Sequence, residues 1–167
     1  MAPDILDIAD LPARLKRFDR LIGVDLGTKT IGLALSDVER RIATPLETIA
    51  RVKFSKDVVR LFDLMDKHQA AALVVGLPLN MDGSEGPRAQ ATRGFVRNLA
   101  SLRDVAIIYW DERLSTAAVT RSLIEQDASR AKRAEVVDRM AAAYILQGAL
   151  DRMARIVAGK ENATWTD

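Results

Sequence analysis

Leu21-Ile22-Gly23-Val24-Asp25-Leu26-Gly27-Thr28-Lys29-Thr30-Ile31-Gly32-Leu33-Ala34-Leu35-Ser36-Asp37 reads as two apolar strands joined by a turn at residues 27–29. So short a connection cannot carry a crossover, so the strands pair antiparallel as a hairpin. Downstream, residues 42–49 read as a third strand, and Pro45 places it at an edge or a bulge. Ser55 is a candidate cap for a helix over 56–68, where Val58, Leu61, Phe62 and Met65 recur at helical spacing. Residues 71–77 form an unbroken apolar run after that helix, as a parallel strand buried on both faces would. A loop with Pro and Asp-Gly turn signals follows at 78–84, then a helix over 87–102 and a strand over 105–110. Two helices close the chain, one from Ser115 to about residue 126 and one over 134–156, separated by a polar break at 127–132. The expected architecture is α/β: a mixed five-stranded sheet, antiparallel then parallel, flanked by helices.

The 167 residues fit one domain over 19–156, preceded by an extension over 1–18 and followed by a tail over 157–167. Leu6, Leu11 and Leu15 are the docking points available to the extension, which has room for a short helix. With 49% apolar and 29% charged residues, the composition is globular. There is no cysteine, which excludes disulfides, thiolate-bound metals and a thiol nucleophile. His68 is the only histidine and lies in a charged helix, a poor basis for a Ser–His hydrolase. No apolar run reaches the ~18–20 residues that span a bilayer, and the acidic start is unlike a signal or transit peptide. The expectation is therefore a cytoplasmic protein with no membrane partner, either monomer or homodimer.

The net charge of +2 does not by itself demand a nucleic-acid partner, although the pI near 9.1 points that way. Distribution is more informative: between 113 and 133, Arg113, Arg121, Arg130, Lys132 and Arg133 outnumber Glu125 and Asp127. Such a run is either a solvated face or a phosphate-contacting one. Aromatics at 5% are too few for a base-stacking platform.

Three acids are candidates for chemistry. Asp25 sits inside an apolar strand, a costly place for a carboxylate without a bound cation. Glu112 follows the strand over 105–110, and Asp138 lies early in the final helix on the face of Ala141, Ala142 and Ile145. The alanines allow that face to approach the sheet. Oxygen ligands of this kind suit Mg²⁺ or Mn²⁺. Each acid also has a structural explanation: Asp25 could anchor the 27–29 turn, Glu112 could pair with Arg113, and Asp138 could complement the helix dipole. Asp111 competes with Glu112, since strand alternation aims the two at opposite faces and only one can meet Asp25.

At this point the chain resembles a known family. Gly23-Val24-Asp25-Leu26-Gly27-Thr28-Lys29-Thr30-Ile31-Gly32 resembles the opening hairpin of YqgF/RuvX proteins, and Val74-Val75-Gly76-Leu77-Pro78-Leu79-Asn80-Met81-Asp82-Gly83 their central loop. Asp111-Glu112-Arg113-Leu114-Ser115-Thr116 resembles their fourth-strand signature, and Val137-Asp138-Arg139-Met140-Ala141-Ala142 their last-helix acid. The resemblance implies a ribonuclease H-like fold with Asp25, Glu112 and Asp138 as metal-binding catalytic acids, and it selects Glu112 over Asp111. It implies two-metal phosphodiester hydrolysis in 5′-end maturation of the 16S rRNA precursor, with resolution of branched DNA junctions as the alternative activity. Related junction resolvases use a fourth carboxylate one turn beyond the last acid, where this chain has Ala141. Within these motifs and the basic run, Lys29, Asn80, Arg113, Ser115, Thr116, Arg130, Lys132 and Arg133 are the candidate substrate contacts.

Two rival classes remain. Asp25-Leu26-Gly27-Thr28 also occurs in actin-like ATP-binding proteins, but those need two related domains and a second phosphate loop, too much for 167 residues. A non-catalytic RNA-binding module is the other, and retention of all three acids weighs against it.

Overall fold

The protein is described by a computed structural model over residues 5–114 and 130–164, with side chains described for 5–114 and 140–160. Five strands form one sheet: β1 (Arg20–Leu26), β2 (Thr30–Ser36), β3 (Ala43–Ala50), β4 (Ala70–Leu77) and β5 (Ala106–Asp111). Their spatial order is β3-β2-β1-β4-β5. The β1–β2 and β2–β3 pairs are antiparallel, while β1–β4 and β4–β5 are parallel. Helices α1 (Phe54–His68) and α2 (Pro87–Leu102) supply the crossovers, and α3 (Arg130–Thr164) closes the described chain.

Strand alternation divides the core into two layers. Ile22, Val24, Leu26, Leu73, Val75 and Ile107 face α1 and α2, together with Val58, Leu61, Val96 and Leu99. Leu21, Val74, Ile108 and Trp110 face the other way, against Ala142, Ile145, Leu146 and Ala149 of α3. β1 and β4 are buried along almost their whole length, as strands covered on both faces are.

Several boundaries differ from those read in the sequence. Ser55 does not cap α1; the cap position is Lys53, without a side-chain bond, and the buried Asp57 instead accepts from the Val52 amide at 3.2 Å. α3 begins at Arg130, inside the stretch read as a polar break, and runs to Thr164, eight residues past the expected end at Ile156. The helix expected from Ser115 to about 126 lies outside the described residues. β3 is an edge strand as Pro45 required, and the β2–β3 register slips between Leu33 and Ala34, the latter paired with Pro45.

The N-terminal segment is integrated into the fold. Ile5 bridges to Ile107 beyond the β5 edge, the Leu6 amide donates to the Ile107 carbonyl at 2.8 Å, and two short 3-10 turns follow at Ile8–Asp10 and Pro12–Arg14. Leu11, between the turns, is fully buried in the α3-side core. Leu11→Ala is therefore expected to lower stability by about 2–5 kcal/mol, the usual cost of a Leu-sized core truncation. Urea titration checks this; a change under about 0.5 kcal/mol would show that the segment is not docked.

Candidate active site

β1 and β4 run in register with Val24 opposite Val75, so Asp25 stands beside Gly76; on β5, Gly76 is opposite Trp110. Asp25 and Gly76 share the face that meets α3, since Gly23 and Val74, two positions earlier, pack there. Glu112 opens a 3-10 turn, Glu112–Leu114, directly after β5. Its Oε1 lies 2.9 Å from where a Cβ on Gly76 would be, and Ile145 Cδ1 lies 2.4 Å from the same point. The Glu112 carboxylate therefore reaches back over β4, to within roughly one strand spacing (~4.8 Å) of the strand carrying Asp25. Both acids are buried, at 2% and 6% exposure. The missing side chain of Gly76 is the space that admits one of them.

The direction of α3 places Asp138. Ala142 and Leu146 abut Gly23, Ile145 abuts Gly76, and Leu150 and Met153 lie with Glu39, Arg40 and Arg41 at the opposite end of the hairpin. Going back along the helix from Ala142 thus leads toward the carboxyl ends of β1 and β4. Position 138 lies one turn before Ala142, about 6 Å along the axis. Its side chain lies outside the described residues, as do those of Arg130, Lys132 and Arg133 and the whole of Ser115 and Thr116. Ala141, at the position of the missing fourth carboxylate, is buried at 2% exposure.

Asp111 points away from this cluster. Both its oxygens accept from the Arg113 guanidinium, the shortest bond being 2.7 Å from Nη2, and this holds its carboxyl below the ordinary carboxylate range. Arg113 pairs with Asp111, not with Glu112 as adjacency had suggested. Lys29 is exposed on the turn after β1, close in sequence to Asp25. Asn80 is exposed but engaged: its Nδ2 donates to Ser84 Oγ at 2.9 Å and its amide to the Ser84 carbonyl at 2.9 Å. Gly83 has φ of +88°, a backbone conformation that glycine adopts without strain. Sequence reading missed Arg51. Its Nη1 donates to the Gly27 carbonyl at 2.7 Å and its amide to the Lys29 carbonyl at 2.9 Å, so it holds the turn beside Asp25. Only the strand pairing that brings Ala50 opposite Thr30 reveals it.

Residues 19–152 match the family described as RuvX: Holliday junction resolvase. The chain belongs to the RuvX family. A relative in Methylocella silvestris, named "Putative pre-16S rRNA nuclease", is 73% identical over 158 residues, covering 95% of this chain and 98% of its own. One of the same name in Paramagnetospirillum magneticum is 63% identical, covering 88% and 95%. Among solved structures, the RuvC of Thermus thermophilus bound to a Holliday junction substrate aligns with a TM-score of 0.50 at 16% identity, over 81% of this chain and 96% of that one. At that identity the likeness concerns the fold, and the RuvX chain shares the mixed-sheet ribonuclease H-like architecture.

Proposed function

We propose that this RuvX protein is a metal-dependent endonuclease that hydrolyses phosphodiester bonds, acting in 5′-end maturation of the 16S rRNA precursor. The observation that carries the proposal is the pair of buried carboxylates on the α3 face at neighbouring strand ends, Asp25 beside Gly76 in register and Glu112 with its Oε1 over Gly76. Carboxylates taken this far out of water are costly to keep ionised, and a bound cation offsets that cost. The donor set is hard oxygen throughout, which fits Mg²⁺ or Mn²⁺. Asp25, Glu112 and Asp138 would hold the ions, whose chemistry when bound is to lower the pKa of the attacking water and stabilise the leaving oxygen. The chain itself fixes the two acids on rigid strand ends, and α3 walls off their inner side through Ala142, Ile145 and Leu146. Water then adds to phosphorus, and the bond to the leaving sugar oxygen breaks, giving a phosphate and a hydroxyl end.

Substrate enters from the carboxyl ends of β1 and β4, where ligand sites of open α/β sheets gather. Lys29 and Asn80 lie on loops at that end, and Ser115 and Thr116 continue the chain beyond Glu112. Arg130, Lys132 and Arg133 begin α3 with no acidic residue in its first turn. Bases at a helix N-terminus oppose the helix dipole, so an anionic partner accounts for them better than helix stability does. Among the described residues no helix is long and apolar enough to cross a membrane.

Resolution of branched DNA is the second reading, favoured by the family description and the likeness to a junction-bound RuvC. Ala141 weighs against it. Purified protein with Mg²⁺, offered a 5′-extended 16S rRNA precursor and a four-way DNA junction in parallel, is expected to shorten the RNA and leave the junction whole. Junction cleavage with untouched RNA would reverse the order of the two readings.

A further inference from the structure

Asp111 and Glu112 are chain neighbours that leave β5 in opposite directions, and the bonds around Asp111 give the reason. Its Oδ1 accepts the Arg113 backbone N–H at 3.0 Å, closing a turn around Glu112. The same carboxylate accepts from Arg113 Nε at 3.0 and 3.1 Å and from Nη2 at 2.7 Å. Arg113 Nη1 then donates to the Met81 carbonyl at 3.3 Å. Met81 belongs to a loop already closed on itself: Gly83 donates to the Asn80 carbonyl at 2.8 Å, and the Ser84 amide to Asp82 Oδ1 at 2.9 Å. One carboxylate thus organises the turn that carries Glu112, and through one guanidinium it ties that turn to the loop after β4.

We propose that Asp111 is a positioning residue: it sets the aim of Glu112 across Gly76 and, through Arg113, locks loop 80–84 to the same strand end. The proposal rests on Glu112 being an acid of the site. Arg113 is then a brace between two segments and not a contact to the substrate backbone. Neither residue touches the reacting atoms.

Two readouts test it in the full-length protein. The first is amide hydrogen exchange in residues 80–84 and 112–114 without added metal. Asp111→Ala is expected to speed exchange several-fold in both segments, as loss of their shared hydrogen bonds would, while Arg113→Lys loosens mainly 80–84. The second is the Mg²⁺ concentration for half-maximal cleavage, expected to rise by about tenfold or more in Asp111→Ala, as loss of a ligand-orienting partner does. Asp111→Asn keeps an acceptor for the Arg113 amide and is expected to recover part of both effects. A merely structural role would lower the melting temperature without moving the Mg²⁺ requirement. Unchanged exchange in 80–84, or an unchanged Mg²⁺ requirement in Asp111→Ala, overturns the proposal. Glu112→Gln separates it from the reading beneath: if that variant cleaves at full rate, Glu112 is not a site acid and the positioning role falls with it, even where exchange still reports a tie between the two segments.

Discussion

Asp25→Asn, Glu112→Gln and Asp138→Asn are each expected to lower cleavage by about 10³-fold or more, the equivalent of about 4 kcal/mol of barrier, while the fold survives. The substitutions are nearly isosteric, so packing around the buried Asp25 and Glu112 is preserved. At Asp25 and Glu112 they also remove a charge from a buried place, so stability without metal is expected to hold or rise. The pairing of outcomes separates a chemical role from a structural one. If Asp25 merely anchored the turn at 27–29, Asp25→Asn would lower the melting temperature and leave a proportionate share of activity. A thermal melt beside a single-turnover cleavage assay reads both. Full activity in any one variant removes that residue from the site.

The second large effect comes from glycine. A methyl group on Gly76 would fall 2.4 Å from Ile145 Cδ1 and 2.9 Å from Glu112 Oε1, so one or both must move. Ile145 is fully buried and cannot leave its place without disturbing the α3-side core. The acid is the more easily displaced, and a shift of about 1 Å at a catalytic group can cost about 10²-fold in rate. Gly76→Ala is therefore expected to lose about 10²-fold in cleavage, with a stability cost of about 1–3 kcal/mol. Gly23→Ala is the contrasting control. Its added carbon would meet Leu146 Cβ at 2.7 Å and the Ala142 carbonyl oxygen at 2.8 Å, so α3 itself must shift. Stability is expected to fall further there than at Gly76. Equal activity losses with equal stability losses at the two positions would mean that Gly76 serves packing alone.

Much of this arrangement was legible in the sequence because it rests on local signals. The turn at 27–29 is too short for anything but a hairpin, and Pro45 cannot donate within a central strand. Pro87 fits the first turn of a helix, and α2 begins there. Where local signals compete, the sequence misled. Ser55 is a good cap in isolation, but Asp57 is placed to accept from the Val52 amide, and the helix starts earlier. The tail expected from residue 157 is instead helical to Thr164; the glycine inside it, Gly159, costs a helix only about 1 kcal/mol. The pairing of Arg113 with Asp111 depends on a turn that brings residues two apart together, whereas reading by adjacency offered Glu112. The space above Gly76 is still less accessible to sequence reading, because it is defined jointly by β4, the end of β5 and α3. The acids could be named from the sequence and the family resemblance; the glycine that admits one of them could not.

The measurement that bears most directly on the central claim is cleavage of the 16S rRNA precursor by protein stripped of metal, before and after Mg²⁺ is restored, with Asp25→Asn alongside. The account predicts no cleavage in excess chelator with residual metal verified near zero, recovery on adding Mg²⁺ or Mn²⁺, and no recovery in the variant. Ca²⁺, with its larger and more flexible shell, is expected to bind without supporting cleavage and to compete with Mg²⁺. Robust cleavage in verified absence of metal, or equal recovery in Asp25→Asn, would contradict it.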